Sequence, residues 1–100
     1  MPLPETVFNL KVNSSSERPA FGRLEFFLNL RGKEFEPLIQ KQQRKIIDLF
    51  QRTLEQVSWD ELESPLGKEK LRKILRSKVN KYLEQDIVLG IYYRSVILSK

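Results

Sequence analysis

Apolar and polar residues alternate in two stretches near the start of the chain and recur at helical spacing in two longer ones. Phe8, Leu10 and Val12 fall on one side of residues 6–12, with Asn9 and Lys11 on the other. Period two over that length predicts a short half-buried strand. From Phe21 to Leu30 the alternation is clear, with Leu24, Phe26, Leu28 and Leu30 on one face and Arg23, Glu25 and Asn29 on the other. This predicts a second strand, paired antiparallel with the first. Residues 13–19 (NSSSERP) between them read as a polar loop. Residues 1–5, with Pro2 and Pro4, read as a loose lead-in.

The period then changes. In residues 34–57, Phe35, Ile39, Ile46, Phe50, Leu54 and Val57 share one side, and Ile47 and Leu49 widen the stripe. Pro37 suits only a first helical turn, so the regular helix is expected to begin there. Ser58-Trp59-Asp60-Glu61 matches a capping box and predicts a short helical turn. Ser64 as N-cap and Pro65 as first helical residue open a second long helix to Leu83. Its stripe is Leu71, Ile74, Leu75, Val79, Tyr82 and Leu83. Residues 87–98, dense in β-branched and aromatic side chains, predict a final strand. The order is β-β-α-α-β. It makes one α+β domain over residues 1–100, a three-stranded sheet with two long helices packed on one face.

Composition narrows the function. The chain has 100 residues, enough for a single core, with 40% hydrophobic and 31% charged residues. It has no histidine and no cysteine, which removes the commonest general base, thiolate chemistry and the usual metal ligands. Asp60, Glu61 and Glu63 stand at a helix start, where carboxylates complement the dipole. Leu66-Gly67-Lys68 lacks the preceding strand and second glycine of a phosphate loop. No enzyme activity and no cofactor are expected. No run approaches the roughly 20 apolar residues of a membrane helix, and the start carries no secretory signal.

Two surfaces stand out. The second helix is basic, and Lys70, Arg72, Lys73 and Arg76 form a candidate contact for an anionic surface, with a solvated face as the plainer reading. The net charge of +5 admits a small basic nucleic-acid-binding module as an alternative function. The sheet's far face is more informative. If Leu24, Phe26 and Leu28 face the helices together with Ile87, Leu89, Ile91, Tyr93 and Ile97, then Phe21, Phe27, Val88, Tyr92 and Val96 point away. These five are a candidate self-association face, because apolar patches without cover mark interfaces. The alternative is a reversed phase, or terminal loops laid over that side.

The run TLEQVSWDELESPLGKEKLRKILRSKVNKYL, a gap, and then IVLGIYYRSVILSK resembles the C-terminal domain of the flagellar basal-body-associated FliL family. Leu62, Ser64, Gly67, Lys68, Leu71, Asn80, Ile91, Tyr92 and Tyr93 occupy the family's motif places, and the two opening strands are similar too. The resemblance implies a stomatin/prohibitin-like fold and a ring-like homo-oligomer at the periplasmic side of the bacterial inner membrane. It implies association with the stator units of the flagellar motor, in support of torque and motility. Family members carry an N-terminal transmembrane anchor, so on this resemblance the sequence is expected to be either a periplasmic fragment or a divergent, unanchored relative. Nucleic acid is not expected as a partner on this reading.

Overall fold

A computed structural model describes residues 1–11 and 19–99. Val12 and most of the expected 13–19 loop lie outside the described residues. β1 (Thr6–Asn9), β2 (Phe21–Leu30) and β3 (Val88–Ser99) form one antiparallel sheet in the order β1-β2-β3, so β2 is central. Between β2 and β3 run α1 (Glu36–Lys41), α2 (Gln43–Leu54), α3 (Trp59–Glu63) and α4 (Pro65–Leu83). The α+β architecture and the element order are those the periodicity predicts.

Three local features differ from expectation. The helix expected over residues 34–57 is divided: a 3-10 turn at Lys33–Phe35 leads into α1, and a turn at Gln42 separates α1 from α2. Gln42 lies in the polar run QKQQRK, where few apolar contacts hold one straight rod. The lead-in is not loose. Leu3 N–H donates to the Phe26 carbonyl at 2.9 Å, Leu28 N–H donates to the Met1 carbonyl at 2.8 Å, and Pro2 bridges Phe27. Leu3 is buried, so an apolar anchor fixes a segment whose prolines suggested irregularity. Third, Ile74 and Tyr82 are exposed despite their place in the helical stripe, and only Leu71, Leu75 and Val79 of α4 are buried.

The caps behave as read. Ser58 Oγ accepts from Glu61 N–H at 3.2 Å, and Ser64 Oγ accepts from Gly67 N–H at 3.3 Å. A Cβ at Gly67 would fall 1.9 Å from the Glu61 carbonyl oxygen, so only glycine lets α4 abut α3 this closely. The core lies between sheet and helices. Phe26 sits at its centre, its ring centroid 5.3 Å from Phe50 and 6.0 Å from Phe8, both edge-to-face.

α4 is tied to the start of β3 chiefly through Asn80. Asn80 Nδ2 donates to the Val88 carbonyl and Asn80 Oδ1 accepts from Val88 N–H, each at 2.9 Å. Its amide thus pairs with Val88 as a neighbouring strand would. Arg31 fixes the preceding turn through Asp86, donating to its carboxylate at 2.9 Å and its carbonyl at 2.8 Å.

Candidate functional site

The helices cover one face of the sheet. What the other face presents depends on the phase of each strand. β2 keeps strict alternation: Gly22, Leu24, Phe26 and Leu28 are buried, while Phe21, Arg23, Phe27 and Asn29 are exposed. β3 does not. Its register against β2 passes from Glu25↔Ser95 to Phe26↔Tyr93, leaving Arg94 extra. It passes from Asn29↔Gly90 to Leu30↔Val88, leaving Leu89 extra. Each is a β-bulge, and each reverses the side on which later residues fall.

The bulges correct the expected face. Val88 is 0% exposed and belongs to the core. Val96 stands opposite Leu24 and packs on the helix side. Phe21, Phe27 and Tyr92 are on the outer face as expected, all exposed. Leu89 and Ile97, assigned inward by unbroken alternation, are exposed, and Leu98 packs against the core instead. Val7 joins the outer face, because it and Ile97 flank Arg23 from opposite sides. The sequence did carry signals for both irregularities. Gly90 inside a strand marks a break, and the consecutive polar pair Arg94-Ser95 stalls the alternation.

The outer face is apolar but laced with charge. Phe27 lies directly across from Tyr92. Arg94 Nε stands 3.3 Å from Glu25 Oε1, and Arg23 Nε 4.0 Å from Glu5 Oε1. The Arg72 guanidinium sits 5.5 Å from the centroid of the Tyr92 ring. Arg72 belongs to α4 on the covered side, so its side chain crosses the β3 edge to reach that ring. This cation–π contact holds Tyr92 in place on an otherwise open surface.

The four cations proposed as one anionic-surface contact divide between two flanks of α4, with Lys73 and Arg76 together on one and Lys70 on the other. Arg72 is committed to Tyr92. Arg76 Nε donates to the Val88 carbonyl at 3.2 Å. Lys73 lies 3.8 Å from Glu69 across one helical turn. Lys70 points to the opposite flank of α4, into a cavity against α2. Counting charges along the sequence gathered all four, while the helical turn keeps Lys73 beside Arg76 and sets Lys70 apart.

Among the described residues, no helix is long and apolar enough to cross a membrane, and no group of three or more acidic residues could hold a metal ion. The family model for "Flagellar basal body-associated protein FliL" matches residues 1–98. The chain belongs to the FliL family. No curated protein matches it. The FliL match spans every element of the fold, from the lead-in to the last residues of β3. It makes this a flagellar basal-body-associated protein, and it sets the outer face of the sheet in that context.

Proposed function

We propose that this FliL domain acts without catalysis, on the periplasmic side of the inner membrane. It assembles with copies of itself through the outer face of its sheet and engages a stator segment, supporting torque. The observation that carries this reading is the Phe27–Tyr92 pair. Two aromatic side chains stand opposed on adjacent strands, uncovered by any described element, with Tyr92 held by Arg72. An aromatic anchor buried at a contact contributes about 2 kcal/mol or more. The ion pairs Arg94–Glu25 and Arg23–Glu5 around it suit a polar rim. Membrane attachment would favour assembly further by raising effective concentration. The competing nucleic-acid reading is less favoured, because Lys70 stands on a different flank of α4 from Lys73 and Arg76, and Arg72 turns toward Tyr92.

Phe27→Asp and Tyr92→Asp test the proposal. Circular dichroism of each purified variant is expected to match the parent, because both positions are exposed. Crosslinked oligomers in membranes are expected to disappear and swimming to weaken. Parental crosslinking and motility from both folded variants would place the contact on the helices instead.

A further inference from the structure

A cavity of about 520 Å³ opens on the helical side, between the end of α2 and the flank of α4, remote from the outer face of the sheet. Its volume falls within the roughly 300–1,000 Å³ typical of small-molecule sites. Val57, Leu71 and Ile74 give it an apolar lining. Thr53 adds little polarity, because its hydroxyl already donates to the Leu49 carbonyl at 3.0 Å. Gly67, pressed against the Glu61 backbone, is where α4 abuts α3 beside the cavity.

Lys70, Ile74 and Lys78 follow one another at four-residue steps along α4, so the exposed Ile74 lies between two ammonium groups. Among the described residues neither Lys70 nor Lys78 forms an ion pair. Among the described residues Glu61 is the one carboxylate lining the cavity, which leaves the rim net positive. An apolar slot bordered by unpaired cations matches a ligand with a hydrocarbon tail and an anionic head.

We propose that this cavity binds a single-chain anionic amphiphile, with its alkyl tail against Val57, Leu71 and Ile74 and its head between Lys70 and Lys78. The site is independent of the self-association reading, since it shares no residue with the outer face. A fatty acid carboxylate and a lysophospholipid phosphate both satisfy this chemistry. An acidic amphipathic peptide is the alternative occupant.

The test is titration of the whole chain with dodecanoate below its micelle concentration, followed by calorimetry and by methyl NMR. Saturable one-to-one binding is expected, with shifts at Val57, Leu71 and Ile74. Affinity should rise about fourfold per added methylene from octanoate to dodecanoate. Dodecyl maltoside, which has the same tail and no charge, should bind at least about tenfold more weakly. Lysophosphatidate binding better than dodecanoate would assign the head as phosphate, and the reverse order would assign it as carboxylate. Ile74→Trp, which fills the slot, and the double variant Lys70→Gln/Lys78→Gln should each weaken dodecanoate by about tenfold or more. Both leave core residues untouched, and circular dichroism checks their fold. Equal binding of the maltoside, shifts confined to the outer-face methyls of Val7 and Ile97, or the absence of saturable binding would each overturn the proposal. So would an acidic amphipathic peptide that shifts the Val57, Leu71 and Ile74 methyls while dodecanoate does not.

Discussion

Phe50 and Ile74 separate what a residue's position in a pattern implies from what its surroundings do. Both fit the helical stripes. Phe50 is fully buried edge-to-face against Phe26, while Ile74 is 36% exposed at the cavity rim. Phe50→Ala is expected to cost about 3–5 kcal/mol, because the surrounding side chains cannot collapse into the space. Ile74→Ala is expected to cost about 1 kcal/mol or less, since solvent already reaches that side chain. Urea denaturation of both variants checks the ranking, and equal losses would show that α4 packs on α2 more tightly than the geometry has it. Tyr93 is a second case. Its hydroxyl donates to the Lys68 carbonyl at 2.8 Å. Burial pushes its phenol well above the usual range, partly offset by the Arg72 guanidinium. A folded-state pKa above the unfolded value of about 10 means that the native state holds the proton more tightly. The associated stability is therefore fully present below pH about 10 and is lost as pH rises beyond it. Tyr93→Phe should cost about 0.5–1.5 kcal/mol at neutral pH. It should also lessen the alkaline loss, which denaturation midpoints at pH 8 and pH 11 would compare.

At the scale of elements, the turn from α4 into β3 is governed by Asn80. Its side chain meets both the N–H and the C=O of Val88 and also donates to the Asp86 carboxylate at 3.1 Å. Asn80→Ala would take away the side-chain partner of the buried Val88 N–H and leave the Val88 carbonyl to Arg76, an expected cost of about 1–3 kcal/mol. Hydrogen exchange should speed up at the Val88 amide while that of β2 stays slow, whereas uniform acceleration would mean that the turn is not a local unit. Asn80 was legible only as a place in a family pattern, and nothing in its spacing foretold what it holds. The elements themselves were legible, because Leu24, Phe26 and Leu28 alternate and Ile46, Phe50 and Leu54 recur by fours. Period counting failed where the period is broken. The bulges at Leu89 and Arg94 set Val88 in the core, Val96 against it and Ile97 on the outer face. A bulge depends on the opposing strand, so one strand's sequence can hint at it through Gly90 and Arg94-Ser95 but cannot give its phase.

At the scale of the molecule, the sheet has two edges, and each is treated differently. On the β3 side, Arg76 occupies the Val88 carbonyl and Arg72 crosses over to Tyr92, so cations guard part of that border. On the other side β1 covers only the Phe21–Leu24 half of β2. The lead-in covers the rest, through the backbone bonds of Met1 and Leu3 to Leu28 and Phe26. Residues 1–4 thus function as an extension of β1, and Leu3, buried in the core cluster, is what holds them there. Two variants separate the side chain from the backbone. Leu3→Ala is expected to lower stability by about 2–5 kcal/mol through the cavity it leaves. It keeps the edge covered, so the folded variant should remain monodisperse by light scattering. Deleting residues 1–4 removes the anchor and also bares backbone groups of Phe26 and Leu28 along β2. That variant should lose comparable stability and in addition self-associate through the open edge. Such association should persist when Tyr92→Asp is added, because it uses the strand edge and not the outer face. A truncated chain that stayed monodisperse with an unchanged urea midpoint would show that the lead-in contributes nothing to the sheet.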